Sequence, residues 1–167
     1  MPFGGAGPVH AAMVAEELDI PRVLIPPNPG AFSALGLLCA DIIHDYIQSD
    51  LVNLEVLEPE KAEEKFKFLE GKADEELRDE GLEGEKRVFI REVDLRYAGQ
   101  GYEIRTPLEG LSNAEMSKDV INEIAERFHE IHHKQHGHSA RDQIIELVSY
   151  RVRVSVPVKK QAHWETD

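Results

Sequence analysis

The chain has 167 residues, 41% hydrophobic and 31% charged, with nine prolines and one cysteine; this excludes a disordered tail, a collagen-like repeat and a disulfide scaffold. Nineteen Lys and Arg against 32 Asp and Glu leave a net charge of −13, which repels phosphate backbones, and no segregated basic face argues for a nucleic-acid partner. The longest apolar run, Ala31 to Ala40, is about half of the roughly 20 residues that cross a bilayer, and the N-terminus lacks the basic and apolar regions of a signal peptide, so a cytoplasmic protein without a membrane partner is expected.

Phe3-Gly4-Gly5-Ala6-Gly7-Pro8 opens the chain with a turn whose glycines, lacking Cβ, let the backbone approach a flat or anionic ligand. A helix predicted from about Val9 to Leu18 aims its N-terminal amides at the same place. A tight strand-to-helix turn accounts for these residues equally well. The Lys and Ser/Thr of a Walker loop are missing, and the glycine spacing is not that of a dinucleotide fold. A strand is expected at Arg22 to Ile25. Asn28-Pro29-Gly30-Ala31-Phe32-Ser33 then opens an apolar helix, with Asn28 or Ser33 as cap. Asn28, Gly30 and Ser33 are candidates for holding an anion or a substrate carbonyl, against the plainer reading of a helix-opening turn. Cys39 reads as a small buried hydrophobe, since no basic residue stands near it in sequence to activate a thiolate.

The first 50 residues hold one basic residue, Arg22, against six acidic ones, whereas the chain from Leu51 onward is dense in charge. This shift marks a boundary. Residues 1–40 read as a fragment of an α/β protein whose one strand cannot close a parallel sheet, so they lack partners or lean on the rest. Residues 41–158 read as an α+β domain and 159–167 as a flexible tail.

The second part opens with a weak strand at Ile42 to Val52. Ala62, Phe66, Leu69, Ala73 and Leu77 then recur at helical spacing behind Pro59, predicting a helix to about Glu80. Val93, Leu95 and Tyr97 alternate with polar residues, Ala98 to Gly101 turns the chain, and Tyr102, Ile104 and Thr106 alternate again, which makes a hairpin. Ser112-Asn113-Ala114-Glu115 reads as a capping box for a second long helix that carries Val120, Ile124, Phe128 and Ile131 and stops at Gly137. Val148 to Val156 alternates as a last strand. Strand, helix, strand, strand, helix, strand predicts a split βαβ, ferredoxin-like sandwich of mixed or antiparallel sheet, with both helices on one face.

Two polar clusters within this part invite a chemical reading. Asp94, Arg96 and Gln100 lie on or beside the hairpin, and a solvated face with a cross-strand pair to Arg105 or Glu103 is the favoured account. His129, His132, His133 and His136 stand at three- and four-residue spacings, as paired zinc ligands do. No His-Glu-x-x-His order, cysteine or fixed carboxylate completes a ligand set, and the helix dipole favours imidazoles at this end. No metal site is assigned, and the histidines are read as packing residues.

The segment Phe3-Gly4-Gly5-Ala6-Gly7-Pro8-Val9-His10-Ala11, with Ile20-Pro21-Arg22-Val23-Leu24-Ile25-Pro26-Pro27-Asn28-Pro29-Gly30-Ala31-Phe32-Ser33 after it, closely resembles the ATP-dependent hydantoinase A and 5-oxoprolinase family, which includes N-methylhydantoinase and acetone carboxylase subunits. The resemblance continues through Asp94-Leu95-Arg96-Tyr97-Ala98-Gly99-Gln100-Gly101-Tyr102 and from Phe128-His129 to Gly137-His138. It implies the C-terminal end of a much longer chain: the tail of an actin-like, ribonuclease H-like ATPase domain followed by the α+β sandwich.

By the same resemblance Gly4, Gly5 and Gly7, with Pro8, belong to a turn on the nucleotide side. ATP and Mg²⁺ would serve the intact enzyme, and this chain alone would take neither. The implied reaction is ATP-driven opening of a cyclic amide, in which phosphorylation of the carbonyl oxygen exposes the carbon to water. Phosphoryl transfer needs Mg²⁺ ligands and clamps on the γ-phosphate that these residues do not offer, so the chain is expected to be inactive alone. Its expected partners are the remainder of the ATPase chain, a second hydantoinase subunit and a small cyclic amide, with a homo-oligomer left open. The other reading takes the α+β domain as a non-catalytic subunit-docking or assembly module.

Overall fold

The computed structural model describes residues 1–111 and 115–158, which divide into two compact units: Met1–Ile42 with the residues from Pro157, and Ile43–Val156. In chain order the elements are α1 (Gly7–Glu17), α2 (Phe32–Leu38), β1 (Ile42–Asn53), α3 (Pro59–Asp79), β2 (Val88–Tyr97), β3 (Ile104–Pro107), α4 (Lys118–His136) and β4 (Ile145–Val156). Short 3-10 turns occupy Pro29–Ala31 and Leu54–Val56.

The larger unit follows the alternation and periodicity of its sequence. Its sheet has the order β1-β4-β2-β3. β4 therefore fills the gap between β1 and β2, and β2 fills the gap between β3 and β4, so both helical crossovers are split. β2 is antiparallel to both neighbours, pairing Val93 with Thr106 on β3 and with Tyr150 on β4. Phe66 of α3 meets Tyr150 edge-on at 5.3 Å, and Phe128 of α4 meets Tyr97 at 4.9 Å. Tyr97 lies four residues beyond Val93, the register partner of Tyr150, so both helices cover the same sheet face. Element order, split crossovers and helix placement are as expected, but the strand order is not the ferredoxin one: β4 and β2 stand at the centre and β1 and β3 at the edges, because the last strand inserts beside β2.

α3 begins with Pro59 in its first turn and buries Ala62, Phe66, Leu69, Ala73 and Leu77. α4 begins at Lys118, where the Ser117 hydroxyl accepts from the Val120 amide at 3.2 Å. The cap therefore lies five residues beyond the expected Ser112, and residues 112–114 of that capping box lie outside the described residues. The helix stops at Gly137, whose φ of 77° suits a residue without Cβ.

Charge also enters the helix-facing side. Arg91 of β2 donates to Glu70 at 2.7 Å and to Glu63 at 2.9 Å, with its guanidinium 4.9 Å from the centre of the Phe66 ring. Burial opposes Glu63 ionisation, but the Arg91 fork, the Met116 amide and nearby positive charge outweigh it and hold the carboxyl below its ordinary range. On the opposite face Glu92, Asp94 and Arg96 alternate with the core residues and are paired: Arg105 with Glu92, Arg151 with Asp94, Arg153 with Asp45, and Arg96 with Glu146.

The smaller unit is built differently. α1 buries only Ala15 and exposes Val9, Met13 and Val14. The expected strand at Arg22–Ile25 is absent: residues 20–26 are irregular, with Ile20, Val23, Leu24 and Ile25 exposed. A strand exists through its ladder, and this segment has no neighbouring strand to pair with among the described residues. Cys39 follows α2 and is half-buried, not sealed in a core.

The sandwich gives a direct test in two neighbouring phenylalanines. Phe66 is fully buried and Phe68 is 54% exposed. Phe66→Ala is expected to cost about 3–5 kcal/mol and Phe68→Ala less than about 1 kcal/mol, read from urea unfolding of each variant; equal losses would contradict the assigned core face.

Candidate functional site

Within the smaller unit the two glycine-containing turns come together. The Gly4 amide donates to the Pro29 carbonyl at 2.8 Å, and the Phe3 and Phe32 rings lie 5.5 Å apart. Gly4 carries the positive φ, 87°, whereas Gly5 and Gly7 do not. A Cβ built on Gly4, Gly5 or Gly30 meets no atom within 4 Å, so the backbone faces open space there. Ala6 caps α1 without a side-chain hydrogen bond, so no side chain of the cap residue occupies its first amides. Pro8 sits in the first turn of α1, where its missing N–H costs nothing.

Neither residue expected to cap the second turn does so. Asn28 adopts left-handed geometry, φ 49° and ψ 56°, and its carbonyl accepts from Ala31 at 3.0 Å while its side chain makes no cap. Ser33 lies inside α2, whose cap is Ala31. A groove of about 310 Å³ runs beside the turn, lined by Gly7, His10, Val14, Ile20, Arg22 and Val23 among others. Arg22 is the one basic residue of the first 50. Its position beside the start of α1 was not legible in sequence, since 15 residues separate it from Gly7. Open backbone, the positive end of the α1 dipole and one guanidinium make this a place that can receive an anionic or carbonyl-bearing group.

In the larger unit the hairpin motif and the histidine-rich helix end form one hydrogen-bonded cluster. The Tyr97 hydroxyl accepts from the Ala140 amide at 2.9 Å and lies 2.7 Å from His129 Nδ1. The Tyr97 hydroxyl is thus shared between the Ala140 amide and His129 Nδ1 and ties the two together. Burial first, then the positive charge of Arg141, pushes the His129 pKa down. His132 is fully buried; its Nδ1 lies 2.8 Å from the His138 carbonyl and its Nε2 2.9 Å from the Gln100 amide nitrogen. Gln100 also accepts from the Tyr97 amide at 3.1 Å.

Both nitrogens of His132 are therefore used within the protein, and the helical spacing of the histidines serves a clamp between α4 and the hairpin turn. Asp94 is buried and binds the Ser149 hydroxyl and Arg151, both on β4. Arg105 stands opposite Asp94 in the β2–β3 register but pairs with Glu92, and the Asp94 carboxylate turns to the β4 side, where Ser149 lies opposite it. Among the described residues, the group of His, Cys, Asp and Glu side chains whose donor atoms converge is elsewhere: His44, Glu76 and Glu80. More than thirty residues separate His44 from the two glutamates, so no motif spacing announced it.

Tyr97→Phe leaves His129 Nδ1 and the Ala140 amide without their partner and is expected to cost about 1–3 kcal/mol in denaturant unfolding. Acid is expected to destabilise the fold in two stages. His129 binds a proton more readily when unfolded, so stability falls as the pH drops below about 6.5. Asp45 and Glu63, held below their ordinary range chiefly by Arg153 and Arg91, add a further loss below about pH 4. Stability profiles of wild type and His129→Phe test the first stage, the variant being expected to flatten the slope between about pH 6.5 and 5.

Comparison with known proteins gives these features a setting. The family model described as hydantoinase/oxoprolinase matches residues 1–46. An uncharacterised protein of Methanocaldococcus jannaschii is 38% identical over 156 residues, covering 91% of this chain and 20% of that protein. The 5-oxoprolinase of Saccharomyces cerevisiae is 32% identical over 154 residues, 90% of this chain and 11% of that enzyme. Caprolactamase subunit alpha of Pseudomonas jessenii is 27% identical over 154 residues, 90% of this chain and 22% of the subunit. The crystal structure of ATP-dependent caprolactamase from the same organism shares the fold, with a TM-score of 0.74 at 24% identity over 99% of this chain and 24% of that one. The chain spans about a fifth of the length of the first of these relatives. Carried by relatives that align with nearly all of its length, the chain belongs to the hydantoinase/oxoprolinase family.

Proposed function

We propose that this chain is the C-terminal piece of an ATP-dependent enzyme that opens a cyclic amide, supplying a nucleotide-side turn from Gly4, Gly5, Gly7 and Pro8 and an appended α+β domain. The observation that carries the reading is the meeting of the Gly4 turn with the Asn28 to Ser33 turn, through the Gly4 to Pro29 hydrogen bond, beside the N-terminus of α1. Family membership and the ATP-dependent caprolactamase support the choice of nucleotide. When bound, ATP supplies the phosphoryl group that turns an inert amide carbonyl into an electrophile. These residues fit a binding role: the open backbone at Gly4, Gly5 and Gly30 admits a flat or anionic group, and Arg22 offers positive charge.

They do not fit Mg²⁺. Neither turn contains a carboxylate, so ligands to that ion would come from another segment or chain. The actin-like origin of residues 1–40, a cytoplasmic setting and partnership with the remainder of an ATPase and a second subunit belong to the same proposal. No described helix is long and apolar enough to cross a membrane. Exposed apolar side chains on the smaller unit, among them Val9, Met13, Leu18, Leu24, Leu37 and Leu38, support the partnership, since removing them from water against another chain is favourable. The sandwich, whose polar groups are largely paired within itself, keeps the second reading alive as a docking module.

The chain alone is expected to release no phosphate from ATP with Mg²⁺ and hydantoin, 5-oxoproline or caprolactam. Sustained release that survives removal of contaminating ATPases would overturn the claim. In complex with its ATPase partner, Gly4→Val should weaken nucleotide binding at least tenfold, because a β-branched residue resists the 87° φ and fills the open space. Unchanged affinity in a folded variant would leave the turn purely structural and favour the docking module.

A further inference from the structure

The end of α3 carries an arrangement that the proposed enzyme function does not use. Glu76 and Glu80 stand one turn apart at the C-terminal end of the helix, Glu80 being its cap residue. Like charges at this spacing repel, and both sit where the helix dipole is negative and a cation is favoured. Among the described residues neither carboxylate forms an ion pair with lysine or arginine; Arg78, the basic residue of that turn, reaches to Glu83. Their shared contact is His44 of β1, with Nδ1 3.8 Å from Glu76 and Nε2 3.1 Å from Glu80.

We propose that His44, Glu76 and Glu80 bind one divalent transition-metal ion of the Zn²⁺ or Mn²⁺ type, which clamps the edge strand β1 to the end of α3. One donor atom from each residue lies within 4.8 Å of the others. Bonds of about 2.1 Å place tetrahedral ligands roughly 3.4 Å apart, so modest rotation of two exposed glutamates closes the set. The Tyr46 hydroxyl donates to Glu76 Oε2 at 2.7 Å, which orients that carboxylate as outer hydrogen bonds orient metal ligands elsewhere. An imidazole with two carboxylates selects a borderline ion over Mg²⁺ or Ca²⁺, which prefer all-oxygen sets. Three protein ligands leave a position for water or for a donor from another molecule. The clamp has a mechanical purpose, because β1 is held by a strand on one side only, β4.

The test uses untagged full-length chain stripped with chelator, titrated separately with Zn²⁺, Mn²⁺ and Mg²⁺ and followed by calorimetry and thermal unfolding. One Zn²⁺ per chain with micromolar affinity is expected, together with a rise in Tm of about 5 °C or more at saturation and a far weaker response to Mg²⁺. His44→Ala and Glu80→Gln should each weaken zinc binding at least tenfold. His133→Ala with His136→Ala, which removes two exposed imidazoles of α4, should leave it unchanged. Glu80 is an exposed cap residue, so its variant stays informative even if His44→Ala folds poorly. Co²⁺ absorption offers a second readout, with tetrahedral visible bands expected in wild type and lost in Glu80→Gln. Absence of stoichiometric zinc, binding that survives both single variants, or binding lost with the α4 imidazoles would overturn the proposal.

Discussion

A four-stranded sheet covered by helices on one side must place apolar residues on that side and resolve every polar group on the other. In the larger unit this division runs residue by residue along β2: Val93, Leu95 and Tyr97 enter the core, and Glu92, Asp94 and Arg96 face away into ion pairs. A slip of one residue would exchange the two sets. The register with β4 is therefore strongly specified, and with it the positions of Tyr150 under Phe66 and of Tyr97 under Phe128. Arg91, a charge on the core side, is tolerated because two carboxylates of α3 receive its fork and the Phe66 ring receives its flat face.

From that register follows the polar cluster at one end of the sandwich. Once Tyr97 is fixed at the end of β2, its hydroxyl reaches His129 and Ala140, and the next turn delivers Gln100 to His132. The Tyr97 to Tyr102 motif and the histidine-rich helix end are thus one structure. Together they hold the hairpin against α4: Tyr97 OH, His129 Nδ1 and both nitrogens of His132 are engaged. Residue types associated with catalysis here supply shape.

The smaller unit obeys the opposite logic. Its helices bury almost nothing, its irregular segment exposes Leu24 and Ile25, and its two turns present backbone to open space. Few residues satisfy one another there, which suits a surface completed by another polypeptide and a ligand. The contrast separates a unit stabilised by its own core from one whose features make sense in a larger assembly.

Periodicity in the chain already specified α3, α4, the hairpin and β4, because apolar spacing of 3.6 or 2 is a local consequence of which face meets the core. The Gly137 stop was equally local. Motif order, glycine turn before Asn-Pro-Gly turn before hairpin motif, carried the family. What stayed hidden was non-local. The missing strand at Arg22–Ile25 depended on a neighbour that local residues cannot report, and the true cap at Ser117 was masked by a better-looking box upstream. The partner of Asp94 was decided by the β4 register, and the convergence of His44 with Glu76 and Glu80 by the packing of α3 on β1. Spacing along a chain encodes which residues share a face; which faces meet is settled by burial of the whole core, and only the folded structure contains that answer.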